Sequence, residues 1–228
     1  KVKDINCNLI GAGSNLLISD KGLMGLSICT RKLRGSSIEH SSGVITAFSG
    51  EPLPLLARRA AQAGLHGLEW AVGIPGTIGG AVVMNAGTKE KCIAEILKTI
   101  TVANIKDGTI FELKTKDLSY GYRSSRLQEE KFIVLSVKLQ LEAGFEKKEL
   151  TEITNNNLQH RLHTQPYHEN SCGSVFRNPE PLKAGKLIEQ TGLKGFRIGG
   201  AEISNIHANF IVNKNKATAS DVQQLISI

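Results

Sequence analysis

A cysteine and a serine stand two positions apart in the stretch 171–179, SCGSVFRNP, with Gly173 between them and Arg177 and Asn178 close behind. A cysteine there invites a nucleophile, since the thiolate is the more reactive of the two groups. Buried cysteines, however, more often pack as small apolar side chains. The serine has its own plain alternative, a turn in which its hydroxyl bonds nearby backbone. In the stretch 120–127, YGYRSSRL, Tyr122 precedes Arg123. A guanidinium is a planar, two-pronged partner for a carboxylate, although a lone arginine serves equally in a surface salt bridge. Lys194 in GLKGFRIGG and His207 in NIHANFIVN are the remaining polar candidates, and a lone histidine is more often structural than functional.

Glycine placement adds a second kind of chemistry. GAGSN at 11–15, comprising Gly11, Ala12, Gly13, Ser14 and Asn15 and followed by Leu16, comes after an apolar strand. Backbone amides in such a turn can approach an anion closely, though a tight turn between strands is the simpler account. The spacing is not that of a dinucleotide fingerprint, and the following LLIS looks like strand, so no helix N-terminus is offered. GIPGTIGGAVVMNAG at 73–87 is denser, with Gly73, Ile74, Pro75, Gly76, Thr77, Gly79, Gly80, Ala81, Asn85 and Gly87. So many glycines among apolar neighbours favour close backbone contact with a ligand.

The elements that must position these groups follow from periodicity. Strand-like runs occur at 8–19, 26–30, 44–49, 96–103, 109–113 and 132–141, with Asp107-Gly108 as the turn of a hairpin. A helix is predicted after Pro52, with Leu55, Leu56, Ala60 and Ala63 as its apolar stripe and Gly64 as its left-handed terminator. A polar-surfaced helix is expected over 146–163. Near the end, Thr218 or Ser220 can cap a helix with Val222, Leu225 and Ile226 on one face. Strands, hairpins and helices in this mixture predict an α+β protein.

Composition narrows the partners. The 228 residues carry a net charge of +7, which suits an anionic partner. The cations are dispersed, and only 3 tyrosines and 1 tryptophan are present for base stacking, so phosphorylated small molecules fit better than nucleic acid. Cys7, Cys29, Cys92 and Cys172 lack metal-ligand spacing, which argues against a metal site and points to a reducing, cytoplasmic setting without disulfides. No window is apolar and long enough to span a membrane, and no secretory leader opens the chain. The first residues run straight into a strand, which predicts a further segment upstream.

Taken in order, GAGSNLLISDKGLMG, GLEWAVGIPGTIGGAVVMNAG, YGYRSSRL, GSVFRNP and AGKLIEQTGLKGFRIGGAEISNIHANFIVNK resemble the UDP-N-acetylenolpyruvoylglucosamine reductases, the MurB family, over nearly the whole chain. That resemblance implies non-covalent FAD on the two-lobed fold of the vanillyl-alcohol-oxidase-like flavoproteins, with a substrate domain closing over it. The implied division is 1–34 for the remainder of the first FAD lobe, 35–143 for the second, and 144–228 for the C-terminal substrate domain. It further implies NADPH as hydride donor, UDP-N-acetylglucosamine enolpyruvate as substrate, a monomer, and no nucleic-acid or membrane partner. Residues 11–16 and 73–87 would line the flavin site. Arg123 would stabilise negative charge on the enolpyruvyl carboxylate, and Ser174 would donate the proton. Tyr122, Arg177, Asn178, Lys194 and His207 would hold substrate, while Cys172 packs. The short route from Arg123 to Ser174 resembles the branch lacking a tyrosine-bearing loop, and the family's catalytic glutamate would lie past Ile228. A sugar or alcohol oxidase on the same fold, or a non-catalytic nucleotide-binding protein, are the competing classes.

Overall fold

The computed structural model describes residues 5–228. It divides into two compact units. The larger comprises Cys7–Ala12 and Ser27–Leu158, and the smaller contains residues 5–6, Gly13–Leu26 and Gln159–Ile228.

The chain begins with β1 (Cys7–Ile10) and β2 (Leu26–Cys29), a short two-stranded pair. Next come β3 (Ser36–Glu39), β4 (Val44–Phe48), α1 (Leu53–Gln62), β5 (Leu65–His66), α2 (Ile78–Val83) and α3 (Ile93–Ile96). β6 (Leu97–Asn104), β7 (Ile110–Lys114), β8 (Phe132–Gln140) and β9 (Glu142–Ala143) follow, then α4 (Lys147–Thr164). The centre of the larger unit is a five-stranded antiparallel sheet in the order β3-β4-β8-β6-β7. Its core is built by alternation: Ile45 and Ala47 on β4, Ile100 and Val102 on β6, and Val137 and Leu139 on β8 are buried. Leu53, Leu56, Ala57 and Ala60 of α1 join Ile78 and Val82 of α2 in the same cluster. Truncating a fully buried Leu56 to alanine would cost about 2–5 kcal/mol.

The Asp107-Gly108 turn forms as the sequence predicts, with Gly108 at φ +73 and Asp107 Oδ1 accepting the Thr109 N–H at 2.9 Å. α1 starts after Pro52 and ends at Gly64, whose φ of +75 terminates it. Its stripe differs from expectation. Leu55 is exposed, because at about 100° per residue the face carrying Leu53, Leu56, Ala57 and Ala60 turns Leu55 outward. The run expected to be strand through 19 stops at Ile10. Leu16 to Ser19 carry no regular structure and are exposed, since Gly13 turns the chain at φ +77 and no strand among the described residues pairs with the apolar run. α2 lies where the glycine-rich sequence predicts no helix. Glycine disfavours helix, and α2 forms because the Thr77 hydroxyl caps it by accepting the Gly80 N–H, at 3.3 Å.

The smaller unit contains β10 (Asn170–Ser174), α5 (Ala184–Gln190), β11 (Arg197–Ile198), β12 (Ala201–Ile203), β13 (Phe210–Asn213) and α6 (Ala219–Ile226). The sheet order is β10-β13-β12-β11, all pairs antiparallel. β10 opposes Ser171 to Val212 but Ser174 to Phe210, so one extra residue is accommodated between them. Gly173, at φ +81, takes up that bulge. Thr218 rather than Ser220 caps α6, in a capping box with Asp221. Ala219 and Leu225 are its buried residues, and Ile226 lies off that face. No helix among the described residues is long and apolar enough to cross a membrane.

Candidate active site

In the larger unit, the two glycine segments converge. A side chain on Gly11 would place its Cβ 2.8 Å from Thr77 Oγ1, so the first segment passes directly against the cap of α2. Residues 76–79 are in turn fastened to the stretch after β4: Leu53 N–H donates to the Gly76 carbonyl, Ile78 N–H to Glu51 and Gly79 N–H to Ser49. Gly79 is required by that contact, since a Cβ would meet Ser49 Cβ at 2.7 Å. Gly87 is likewise needed where Lys91 and Cys92 cross it. Gly73, Thr77, Ala81 and Asn85 are also buried, whereas Pro75 and Gly80 are exposed and Ile74 and Gly76 half-buried. The glycine density therefore serves the protein's own packing at some positions and leaves accessible backbone at others. In the smaller unit, Gly13 has open space where its Cβ would be, and Ser14 is half-buried beside exposed Asn15 and Leu16.

Arg123 sits at the tip of a minimal hairpin in which Gly121 and Ser124 exchange backbone hydrogen bonds. Its φ is +54, a left-handed conformation that a non-glycine residue adopts at a cost of about 1–3 kcal/mol. The guanidinium donates from Nη1 to the Asn85 carbonyl at 3.2 Å and from Nη2 to the Gly87 carbonyl at 2.5 Å. The Tyr122 ring lies 5.1 Å from its Cζ. The hairpin's flanks are pinned to the end of α2, where Tyr120 Oη and Ser125 Oγ donate to the Val82 and Val83 carbonyls. The last carbonyls of a helix lack the regular intrahelical partner, and the Val82 carbonyl also accepts the Asn85 N–H at 3.3 Å. Burial pushes the Tyr120 hydroxyl's pKa well above its ordinary range, so it remains a donor.

In the smaller unit, the bulge presents Ser174 at an exposed strand end opposite Phe210. Cys172 is half-buried and donates from Sγ to the Leu16 carbonyl at 2.9 Å. Burial raises its thiol above the ordinary value, the opposite of what an activated nucleophile needs. Asn178 Oδ1 accepts the Ala184 N–H at 3.1 Å and so starts α5, while Arg177 is exposed just before it. Lys194 is carried on a turn between Gly192 and Gly195, both with positive φ, and pairs with Glu189 at 2.5 Å. That ammonium holds the Glu189 carboxyl below its usual range. His207 Nδ1 accepts the Asn209 N–H at 3.2 Å, and burial lowers the imidazole pKa, which keeps the ring neutral with its proton on Nε2.

Two supporting residues escaped the sequence. Asn209 is buried and pairs with both backbone groups of Phe176 at 2.8 Å, extending the ladder past the bulge. Glu189 is the counter-ion of Lys194. For Glu189 the signal was an acidic residue just before a Gly-bounded lysine turn; for Asn209 it was an amide within HANF.

A family model described as "UDP-N-acetylenolpyruvoylglucosamine reductase, C-terminal domain" matches residues 165–228, and one described as "FAD binding domain" matches residues 1–114. The UDP-N-acetylenolpyruvoylglucosamine reductase of Prochlorococcus marinus strain NATL2A is 61% identical over 98% of this chain and 76% of its own length. That of Synechococcus sp. strain CC9605 is 58% identical over 97% of this chain and 74% of its own. This chain belongs to the UDP-N-acetylenolpyruvoylglucosamine reductase family. The crystal structure of the Thermus caldophilus reductase, MurB, superposes with a TM-score of 0.85 at 36% identity, covering 99% of this chain and 81% of that one. The fold described above is thus the fold of the reductase family, with its FAD-binding domain spanning the segment that holds both glycine clusters.

Proposed function

We propose that the chain carries out the family's reaction with Arg123 and Ser174 as its catalytic residues, FAD as bound cofactor and NADPH as hydride donor. As a family member it is a reductase of UDP-N-acetylenolpyruvoylglucosamine, serving peptidoglycan precursor synthesis. The cofactor sits on a two-lobed fold of the vanillyl-alcohol-oxidase type, divided as 1–34, 35–143 and 144–228, in a cytoplasmic monomer of the shorter branch.

The residues present fit FAD. Gly11 must be a glycine to pass Thr77, Gly13 leaves an uncrowded left-handed turn, and Ile74 to Gly76 with Gly80 leave backbone accessible. These segments would take the diphosphate and the remainder of the cofactor. Its bound flavin would supply reversible hydride uptake and release.

Hydride addition at the terminal carbon of the enolpyruvyl double bond would leave negative charge on the carbon beside the carboxylate, and Arg123 would hold that carboxylate through its planar fork. The observation that carries this role is the arginine's geometry: a non-glycine residue at φ +54, held by two carbonyls, is orientation maintained against backbone preference. Ser174 would hand its proton to that same charged carbon. Tyr122, Arg177, Asn178, Lys194 and His207 would orient substrate, with Lys194 meeting the diphosphate and neutral His207 donating from Nε2. Cys172, its thiol kept protonated, packs.

Anaerobic NADPH oxidation by the flavin-loaded enzyme tests the reading. It should require UDP-N-acetylenolpyruvoylglucosamine and yield the saturated lactyl ether. Flavin reduction by free sugars or alcohols would identify an oxidase, and ligand binding without turnover a non-catalytic protein.

A further inference from the structure

Asn85 is one of the residues expected to line the flavin cleft, yet its side chain is buried and turned into the protein. Its Nδ2 donates to the Gly121 carbonyl at 2.9 Å, at the base of the hairpin that carries Arg123. Its Oδ1 accepts the Ala94 N–H at 3.1 Å, in the first turn of α3. Its own main-chain carbonyl accepts Arg123 Nη1. One residue thus touches the hairpin's backbone, the guanidinium it presents and the helix that follows.

The backbone explains why asparagine stands there. Asn85 has φ +43, and asparagine is among the few side chains that tolerate the left-handed region. In that conformation the carbonyls of Asn85 and, two residues on, Gly87 both receive the arginine fork. Glycine would accept the same φ but would lose both side-chain hydrogen bonds, leaving the hairpin base unfastened at Gly121. Aspartate would keep the shape and the acceptor toward Ala94, while setting an oxygen against the Gly121 carbonyl.

We propose that Asn85 is the positioning residue for Arg123, fixing the plane in which the guanidinium meets the substrate carboxylate. The proposal rests on the assignment of Arg123 made above. It differs from a cofactor-contact role because the side chain acts on the arginine rather than on the flavin.

The test uses the flavin-loaded enzyme with Asn85→Asp, Asn85→Gly and Arg123→Lys, and each Asn85 variant combined with Arg123→Lys. Stopped-flow absorbance follows flavin reduction by NADPH and reoxidation by UDP-N-acetylenolpyruvoylglucosamine separately. Both Asn85 variants should retain flavin and its reduction rate, and should slow reoxidation about 100-fold, the scale of an ångström's misplacement. On the Arg123→Lys background they should change reoxidation by no more than about twofold, because the oriented fork is already gone. Multiplicative slowing in the double variants would overturn the proposal, as would normal reoxidation in both Asn85 variants. Loss of flavin or of folded protein in both variants would also overturn it, by assigning Asn85 to cofactor retention or folding. Normal reoxidation in Arg123→Lys alone would instead remove the underlying assignment.

Discussion

Gly11→Ala probes whether the two glycine segments meet as described. The φ of Gly11 lies outside the left-handed region, so the backbone accepts alanine and the cost must come from contact. The new Cβ would stand 2.8 Å from Thr77 Oγ1, more than half an ångström inside the 3.4 Å at which ordinary contact begins. That oxygen cannot simply swing away, because it caps α2 through the Gly80 N–H. Displacing it forfeits a cap worth about 1 kcal/mol, and tolerating it imposes overpacking of about 1–3 kcal/mol. A destabilisation near 2 kcal/mol would lower Tm by roughly 4–8 °C in a chain of this size. Thr77→Ala removes the oxygen and Cγ2 and leaves Cβ 3.9 Å from the new methyl. The double variant should therefore be about as stable as Thr77→Ala alone, giving a coupling of about 1–2 kcal/mol. Thermal unfolding of the four proteins reads this directly, and titration with FAD, followed by flavin fluorescence, should show weaker binding for Gly11→Ala. Simple additivity of the two Tm changes would refute the convergence of these loops.

Ser174→Ala should leave NADPH reduction of the flavin intact and slow substrate-driven reoxidation about 100- to 10,000-fold, the range for a lost general acid. Cys172→Ala should preserve both half-reactions; the reverse pattern, seen by stopped flow, would exchange the two assignments. Asp221 accepts the Thr218 N–H at 2.9 Å and the Gly200 N–H at 3.2 Å, and these backbone bonds hold its carboxyl below the ordinary 3.8. A depressed folded-state pKa contributes stability above the unfolded value that is lost as pH falls through the folded one. Asp221→Asn should thus lower Tm at pH 7, with the gap to wild type narrowing only below about pH 4; a gap constant down to pH 3 would contradict this.

Much of the larger unit could be read from pattern alone, because alternating burial on β4, β6 and β8 writes itself into the residues. Asp107-Gly108 and Gly64 were legible for the same reason, each answering a local backbone demand. What escaped depends on partners distant in sequence. Leu16 to Ile18 have the composition of a strand, but composition does not supply a neighbour to pair with. α2 contradicts its glycines, and Ser49, lying some thirty positions earlier, explains why Gly79 is there. Among the candidate residues, the types at Arg123, Ser174 and Asn85 are visible in the sequence, whereas the hydrogen bonds fixing Arg123 and its hairpin join positions 36–38 apart. No local window contains such a relation. The role of Asn209 is hidden for the same reason: its partner, Phe176, lies 33 residues upstream.

The bulge in β10 separates two properties of a strand residue, the side of the sheet it stands on and the angle at which it leaves the strand. Ser171 opposes Val212 and Ser174 opposes Phe210, two positions apart on β13, so losing one residue between them would restore regular pairing and leave Ser174 on its present side. What such a deletion would remove is the local bend and added twist that an extra residue imposes. Length variation between 171 and 174 therefore re-aims the Ser174 hydroxyl without moving it across the sheet.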